Sequence, residues 1–307
     1  MDILVGYTGF VGSNICNKHY FERLYNSKNI EEAFGTHPDL CVYCGVRAEK
    51  FLANTAPGRD FEVILNAIEN IKKINPKKIV LISTADVYKE PFGVDENTTI
   101  ETDGLQPYGK NRYYLEKWVS QNYEDYHIVR LPGLFGVNIK KNFIYDMINV
   151  IPSMLSDAKY HELSQQEKLI KKHYILCGNG FYKCVCDREN EKVLLKRAFE
   201  RTGFSALNFT DSRAVFQFYN LSYLWEHINI SIAEEIRLLN MAVEPVCADE
   251  VYITVKGKHF FNELPQPVPN YDLKTIHFDT YGGKNGYIFD RQKVLQDLKS
   301  FITSQLS

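Results

Sequence analysis

The sequence predicts an α/β fold: a Rossmann-like, doubly wound parallel sheet with a smaller mixed C-terminal lobe for a substrate. Three observations carry this. A glycine-rich stretch, VGYTGFVGSN (5–14), ends the first apolar run of the chain. Short apolar runs alternate with helical periodicity as far as about residue 150. The strand-like runs are apolar along their length, as strands covered on both faces are.

Taken in order, DILVG (2–6) reads as a buried strand and FVGSNICNKH as the helix after it. ERLYNSKN (22–29) is a second strand with a polar end, and DLCVYCGV (39–46) a third. Apolar residues at 61, 64, 65, 68 and 71 predict a helix over 58–74, ended by Pro76. KKIVLIS (77–83) is a strand, YGKNRYYLEKWVSQNY (108–123) a helix and YHIVRLPG (126–133) a strand. Residues 152–207 are polar, charged and helix-like, with a loop at CGNGFYKCVC (177–186); AVFQFYNLSYLWEHI (214–228) is a strand running into a helix, and QPVPNYD (266–272) is a loop. The expected organisation is a nucleotide-binding domain over 1–150, to which 208–228 returns, and a substrate lobe of 151–207 and 229–307.

Composition narrows the function. At 307 residues the chain can bury a sizeable core, and its net charge of −2 argues against nucleic-acid binding through a basic field. No apolar run approaches the ~18 residues of a membrane span. MDILVGY lacks the basic and apolar segments of a signal peptide. Seven scattered cysteines fit a reduced, cytoplasmic protein.

In strand–G-x-x-G-x-x-G–helix context, Gly6 permits a tight turn, Gly9 lets backbone approach a pyrophosphate and Gly12 lets the helix pack on the strand. Phe10 and Val11 begin the helix, whose N–H groups and dipole favour phosphate. A carboxylate at the end of the second strand would hold an adenosine ribose 2′-OH. Asn26, Ser27 and Lys28 stand there instead, and Ser27 and Lys28 suit a 2′-phosphate, so NADP is expected, with NAD the alternative if Asn26 bonds a plain ribose.

GYTGFVG (6–12), LISTADVY (81–88), YGKNR (108–112), VRLPGLFG (129–136) and SRAVFQFYNLSYL (212–224) occur in the order found in the extended short-chain dehydrogenase/reductase family, the nucleotide-sugar epimerases, dehydratases and ketoreductases. The chain resembles that family well over its first 150 residues and more loosely beyond, where 152–207 looks like an insertion. The resemblance implies that Thr84 bonds the substrate's reacting oxygen and that Tyr108 is the catalytic tyrosine. A free phenol titrates near pH 10, and a fixed cation lowers that value. The family's cation is a lysine four residues on; here the position is Arg112, a change that keeps the charge but not the shape. Lys110 faces another side of the helix. By the same resemblance Pro132 and Gly133 line the nicotinamide pocket, and Asn142 and Arg213 bind a nucleotide-sugar diphosphate. A homodimer through the helices near 58–74 and 108–123, and a role in surface-polysaccharide precursor synthesis, are implied too.

A dehydratase of this family carries Asp-Glu after the active-site threonine; Ala85 and Asp86 stand there, which disfavours dehydration. A keto-sugar reductase using NADPH and an epimerase with retained NAD remain, with Asp86 a candidate acid/base in the second. A cofactor-binding scaffold without activity is the reading from another class, favoured by Arg112 alone. His173, Cys177, Cys184 and Cys186 lie close in sequence, but their spacing is not a usual zinc pattern, and no metal is expected. Cys41 and Cys44 sit in a strand and read as packing residues.

Overall fold

β1 (Asp2–Val5) is the apolar run before the glycines, and α1 (Phe10–Cys16) starts directly after them. In the computed structural model, which describes residues 1–178 and 180–306, β2 (Arg23–Tyr25) and β3 (Leu40–Tyr43) flank β1 as parallel neighbours. Asn179, inside the expected 177–186 loop, and Ser307 lie outside the described residues. The second strand is shorter than expected: Asn29 accepts from the backbone N–H of Asn26, Asn26 accepts from that of Lys28, and this side-chain turn ends the ladder at Tyr25.

α2 (Lys50–Thr55) and α3 (Pro57–Ile74) follow, then β4 (Lys78–Thr84), β5 (Phe92–Val94), α4 (Pro107–Asn122), β6 (Tyr126–Leu131) and β7 (Gly133–Phe135). Ile3 and Val5, Cys41 and Tyr43, and Ile79 and Leu81 share one sheet face by the period of two. Ile64, Ile68, Ile71 and Ile74 of α3, with Leu115 and Val119 of α4, close over them. Leu65 is the exception to the expected apolar face, being 45 % exposed.

The next segments are α5 (Phe143–Ile148), β8 (Met154–Ser156), α6 (Asp157–Gln166), α7 (Lys168–His173), β9 (Tyr174–Leu176), β10 (Phe181–Cys184) and α8 (Glu189–Thr202). β8, β10 and β9 form a three-stranded antiparallel sheet. The insertion is therefore mixed rather than only helical, because Leu155, Tyr174 and Tyr182 turn inward with α6–α8 onto a small core of its own.

β11 (Val215–Phe216), β12 (Phe218–Asn220), α9 (Leu224–Ala233), β13 (Leu238–Asn240), β14 (Val246–Cys247), α10 (Ala248–Lys256), β15 (Asp272–Leu273) and α11 (Arg291–Leu306) complete the chain. The main sheet has the order β13-β6-β4-β3-β1-β2 and is parallel throughout. Residues 26–39, with a short 3-10 turn at Ile30–Ala33, carry the chain from β2 past β1 to β3. β2 is the last strand of the order, and the order reverses between β1 and β3, the place where doubly wound sheets bind ligands.

Two units emerge: 1–139, 215–246 and 269–297 around the sheet, and 140–214, 247–268 and 298–307. The expected assignment of all of 229–307 to the lobe is corrected. β13 pairs with β6 through Leu238–Asn240, and β15 pairs with β5, so much of the C-terminal chain belongs with the sheet. Among the described residues, no helix is long and apolar enough to cross a membrane. All seven cysteines are free thiols.

Candidate active site

The carboxyl edge of the parallel sheet collects most of the residues singled out by sequence. Gly6 follows β1 with φ +91°, and a Cβ on it would stand 2.6 Å from the Cys44 carbonyl oxygen. A Cβ on Gly12 would overlap the Gly6 carbonyl, so α1 packs as closely as it does because both residues are glycine. Gly9 caps α1, and the N–H groups of Phe10, Val11 and Gly12 take no part in intrahelical bonds. Asn14, unmarked by the sequence reading, fixes this helix: its amide donates to the Val137 carbonyl and accepts from the Val137 N–H, at 2.8 and 3.1 Å. Ser27 and Lys28 are exposed in the turn after β2, with no carboxylate at its end. A tight glycine cradle, open helix N–H groups and these two side chains fit a phosphorylated dinucleotide. Pro132 lies between β6 and β7 on the same edge.

Thr84 ends β4, and its hydroxyl accepts from the Asp86 N–H at 3.1 Å, shaping the turn that carries Asp86. α4 starts with Pro107 at its first position, and Asn54 accepts from the Tyr108 N–H at 3.0 Å. A Cβ on Gly109 would overlap the Asp86 carbonyl, so this glycine brings Tyr108 down onto the Thr84–Asp86 turn. Tyr108 is buried, and burial raises its pKa; Arg112, Lys50 and the Thr84 hydroxyl pull it back and Asp86 adds to the rise. The net direction is upward, so the phenol keeps its proton at neutral pH.

Arg112 has structural work beyond the charge the sequence assigned it. Its guanidinium pairs with buried Asp60, and donates to the carbonyls of Arg47 at 2.7 Å and Tyr108 at 3.3 Å. Asn111 also donates to Asp60, at 2.8 Å. Arg112 thus packs against the face of the tyrosine ring, sealed from solvent at 5 % exposure, and ties α4 to α3.

The accessible cation is Lys50, at the start of α2. Its Nζ stands 2.7 Å from Asp86 Oδ1, and it interacts with Tyr108 and Tyr271 as well. Burial opposes its charge, but Asp86, Tyr271 and Tyr108 outweigh that and raise its pKa. Sequence reasoning missed Lys50 because it precedes Tyr108 by 58 positions and no spacing joins them. Its one signal is its place shortly after the third strand, on the carboxyl edge.

Beneath these residues runs a buried network. Arg130 of β6 donates to Glu116 of α4 at 2.7 Å and to the Tyr88 hydroxyl at 2.7 Å; Ser83 of β4 also donates to Glu116. Every polar group in it has a partner, which locks α4 to the two strands.

The two expected diphosphate ligands belong to the second unit. Asn142 caps α5, accepting from the N–H groups of Ile144 and Tyr145 at 3.0 and 3.2 Å. Arg213 forks onto Asp211 at 3.0 and 2.8 Å and meets Glu263 at 3.1 Å, so two carboxylates already answer its charge.

Residues 19–180 match the model of the NAD dependent epimerase/dehydratase family. The chain belongs to that family. Its members are NAD(P)-dependent enzymes acting on nucleotide sugars, which agrees with the resemblance drawn from the motifs. The match begins after the glycine loop, whose part in the site rests on the geometry above. No curated protein matches by sequence. Among solved structures, the fold is similar to UDP-glucose 4-epimerase of Thermotoga maritima with UDP-glucose, at 13 % identity and TM-score 0.62 over 100 % of both chains. It is similar to dTDP-4-dehydrorhamnose reductase of Bacillus anthracis with NADP, at 15 % identity and TM-score 0.62 over 98 % of each chain. A Bordetella bronchiseptica enzyme in complex with NAD and UDP gives 13 % identity and TM-score 0.65, over 99 % of this chain and 94 % of the other. At these identities the likeness establishes the fold.

Proposed function

We propose that the protein is an NADPH-dependent keto-sugar reductase acting on a nucleotide-linked sugar, with Tyr108 as proton donor. The observation that carries this is the buried Tyr108 phenol beside Thr84 and a Lys50–Asp86 pair on the carboxyl edge of the sheet. The nicotinamide cofactor supplies the hydride when bound. The Thr84 hydroxyl orients the ketone oxygen, and Tyr108 Oη gives that oxygen its proton. Lys50 favours the phenolate left behind, and Asp86 holds Lys50 in place. Exposed Ser27 and Lys28, with no acid at the end of β2, support NADPH over NADH.

The epimerase reading keeps one observation in its favour: Asp86, next to Tyr108, offers a second proton-transfer group. An inactive scaffold would leave Tyr108 without a task. The reading carries with it a homodimer through α3 and α4, a cytoplasmic setting suited to free thiols, and work on precursors of surface polysaccharide.

Native mass spectrometry of the purified protein, followed by titration with NADPH and NADH, tests the reading. Cofactor-free protein that binds NADPH reversibly and more tightly than NADH is expected. Stoichiometric, retained NAD would replace the reductase with the epimerase, and failure to bind either nucleotide would remove both.

A further inference from the structure

The insertion unit brings together three ligand-bearing side chains that the nucleotide chemistry does not use. His173 is the last residue of α7, Cys186 follows β10 and Glu191 lies in the first turn of α8. Their ligating atoms, an imidazole nitrogen, a thiol sulfur and a carboxylate oxygen, all lie within 4.8 Å of one another. Two of the three are buried, His173 at 5 % and Cys186 at 8 % exposure. Neither ring nitrogen of His173 has a hydrogen-bond partner among the described residues. The backbone holds the group in place: the Val185 N–H donates to the His173 carbonyl at 2.8 Å, and Cys184 pairs with Tyr174 between β10 and β9. Lys172 Nζ meets Glu191 Oε1 at 2.9 Å, which fixes that carboxylate and leaves Oε2 for another partner.

We propose that His173, Cys186 and Glu191 bind a borderline transition-metal ion, zinc by donor chemistry, that staples the insertion unit. One nitrogen, one sulfur and one oxygen form a donor set zinc takes in tetrahedral geometry, with water completing the fourth position. The three ligands come from three separate segments of the insertion, so an ion would cross-link α7, the β10 exit and α8. The hydrophobic cluster that includes Cys186 holds eight buried residues, Leu155 to Phe199, and a metal adds most where a core is small. Lys172 acts as the outer partner that orients Glu191, as such partners do at metal sites. Sequence spacing hid the group, since Glu191 was outside the His/Cys cluster and Cys177 is not part of the site.

The test is titration of chelator-treated full-length protein with Co²⁺, then competition with Zn²⁺. One equivalent of Co²⁺ should bind, giving a thiolate-to-cobalt charge-transfer band and tetrahedral visible bands that Zn²⁺ removes. Cys186→Ser should lose the charge-transfer band, and Cys177→Ser should keep it. Glu191→Gln, at a half-buried helix position that leaves the core intact, should keep the band but bind at least about tenfold more weakly. No saturable band at one equivalent overturns the proposal. So does a band that survives Cys186→Ser, or affinity unchanged in Glu191→Gln. None of these readouts depends on the cofactor or on turnover.

Discussion

The Arg112 guanidinium lies 3.9 Å above the centre of the Tyr108 ring, and none of its hydrogen bonds goes to the phenol oxygen. Its charge is answered by Asp60 below. The residue at the family's lysine position has thus become a buried strut that carries the tyrosine ring on its face. Arg112→Ala would strand the Asp60 carboxylate in the interior, and losing one partner of such a pair costs about 3–5 kcal/mol. Arg112→Lys keeps the charge but cannot reach Asp60 and the Arg47 carbonyl together. Chemical denaturation should rank stability as wild type, then Arg112→Lys, then Arg112→Ala, and Arg112→Lys should bring no gain in turnover. A large gain would mean that arginine marks a decayed site.

Arg112 and Lys50 both favour the phenolate of Tyr108, and Lys50 is the one of the two that is not sealed in the interior. Lys50→Met should lower turnover by about 10²-fold, at the low end for a group assisting proton transfer, while NADPH affinity and melting temperature stay near wild type. The alkaline limb of the rate profile should move, because one of the two cations that favour the phenolate is gone. Lys50→Arg should recover part of the rate. If Lys50→Met turns over normally with an unchanged profile, the ion pair with Asp86 is only structural.

The parts of this site that were legible in the sequence are those encoded by short-range patterns. Gly6, Gly9 and Gly12 announce a turn because backbone geometry demands glycine there, and Thr84 and Tyr108 stand at the ends of recognisable elements. α3 was read to within a residue from its apolar period and Pro76, and the bounds read for α4 each fall within a residue of those found. Lys50 and Asp60 were invisible because their roles come from packing α2 and α3 against α4, over 50 residues away in sequence. β13 was lost to the lobe because Leu238–Asn240 is only 3 residues long, too short to show a period. β8–β10 were hidden among charged residues, since only one side of that small sheet faces a core.

The helices proposed to pair in a dimer carry apolar surface that their own unit does not cover. Leu65 is 45 % and Tyr114 47 % exposed, and Phe61 packs edge-on against Tyr114 at 5.2 Å. A face of this kind on α3 and α4 suits burial against a second copy. Sedimentation velocity should give the wild type a dimer mass and Leu65→Asp a monomer mass, with NADPH binding retained in the variant. A monomeric wild type at micromolar concentration would remove the dimer and leave these side chains as ordinary exposed residues.

Acid stability should depend on His227, whose ring is packed among Tyr223, Tyr281 and Phe289 and whose Nδ1 meets the Tyr219 hydroxyl at 2.8 Å. Burial lowers its pKa to about 4, against about 6.5 in an unfolded chain. Between these values the unfolded state binds the extra proton, so stability rises with pH. The contribution is complete above about pH 6.5 and is lost as pH falls through the folded value near 4. Over the whole window the loss amounts to about 3 kcal/mol, from about 1.4 kcal/mol per unit. His127 is shifted down as well, by burial, and adds to the slope in the same direction. Denaturation midpoints measured from pH 4 to pH 7 should therefore climb steeply in the wild type. His227→Gln, which still offers the Tyr219 hydroxyl a partner, should start from a lower stability at pH 7 and show a shallower climb. Equal slopes in the two proteins would mean that His227 takes up its proton in the folded state as readily as in the unfolded chain.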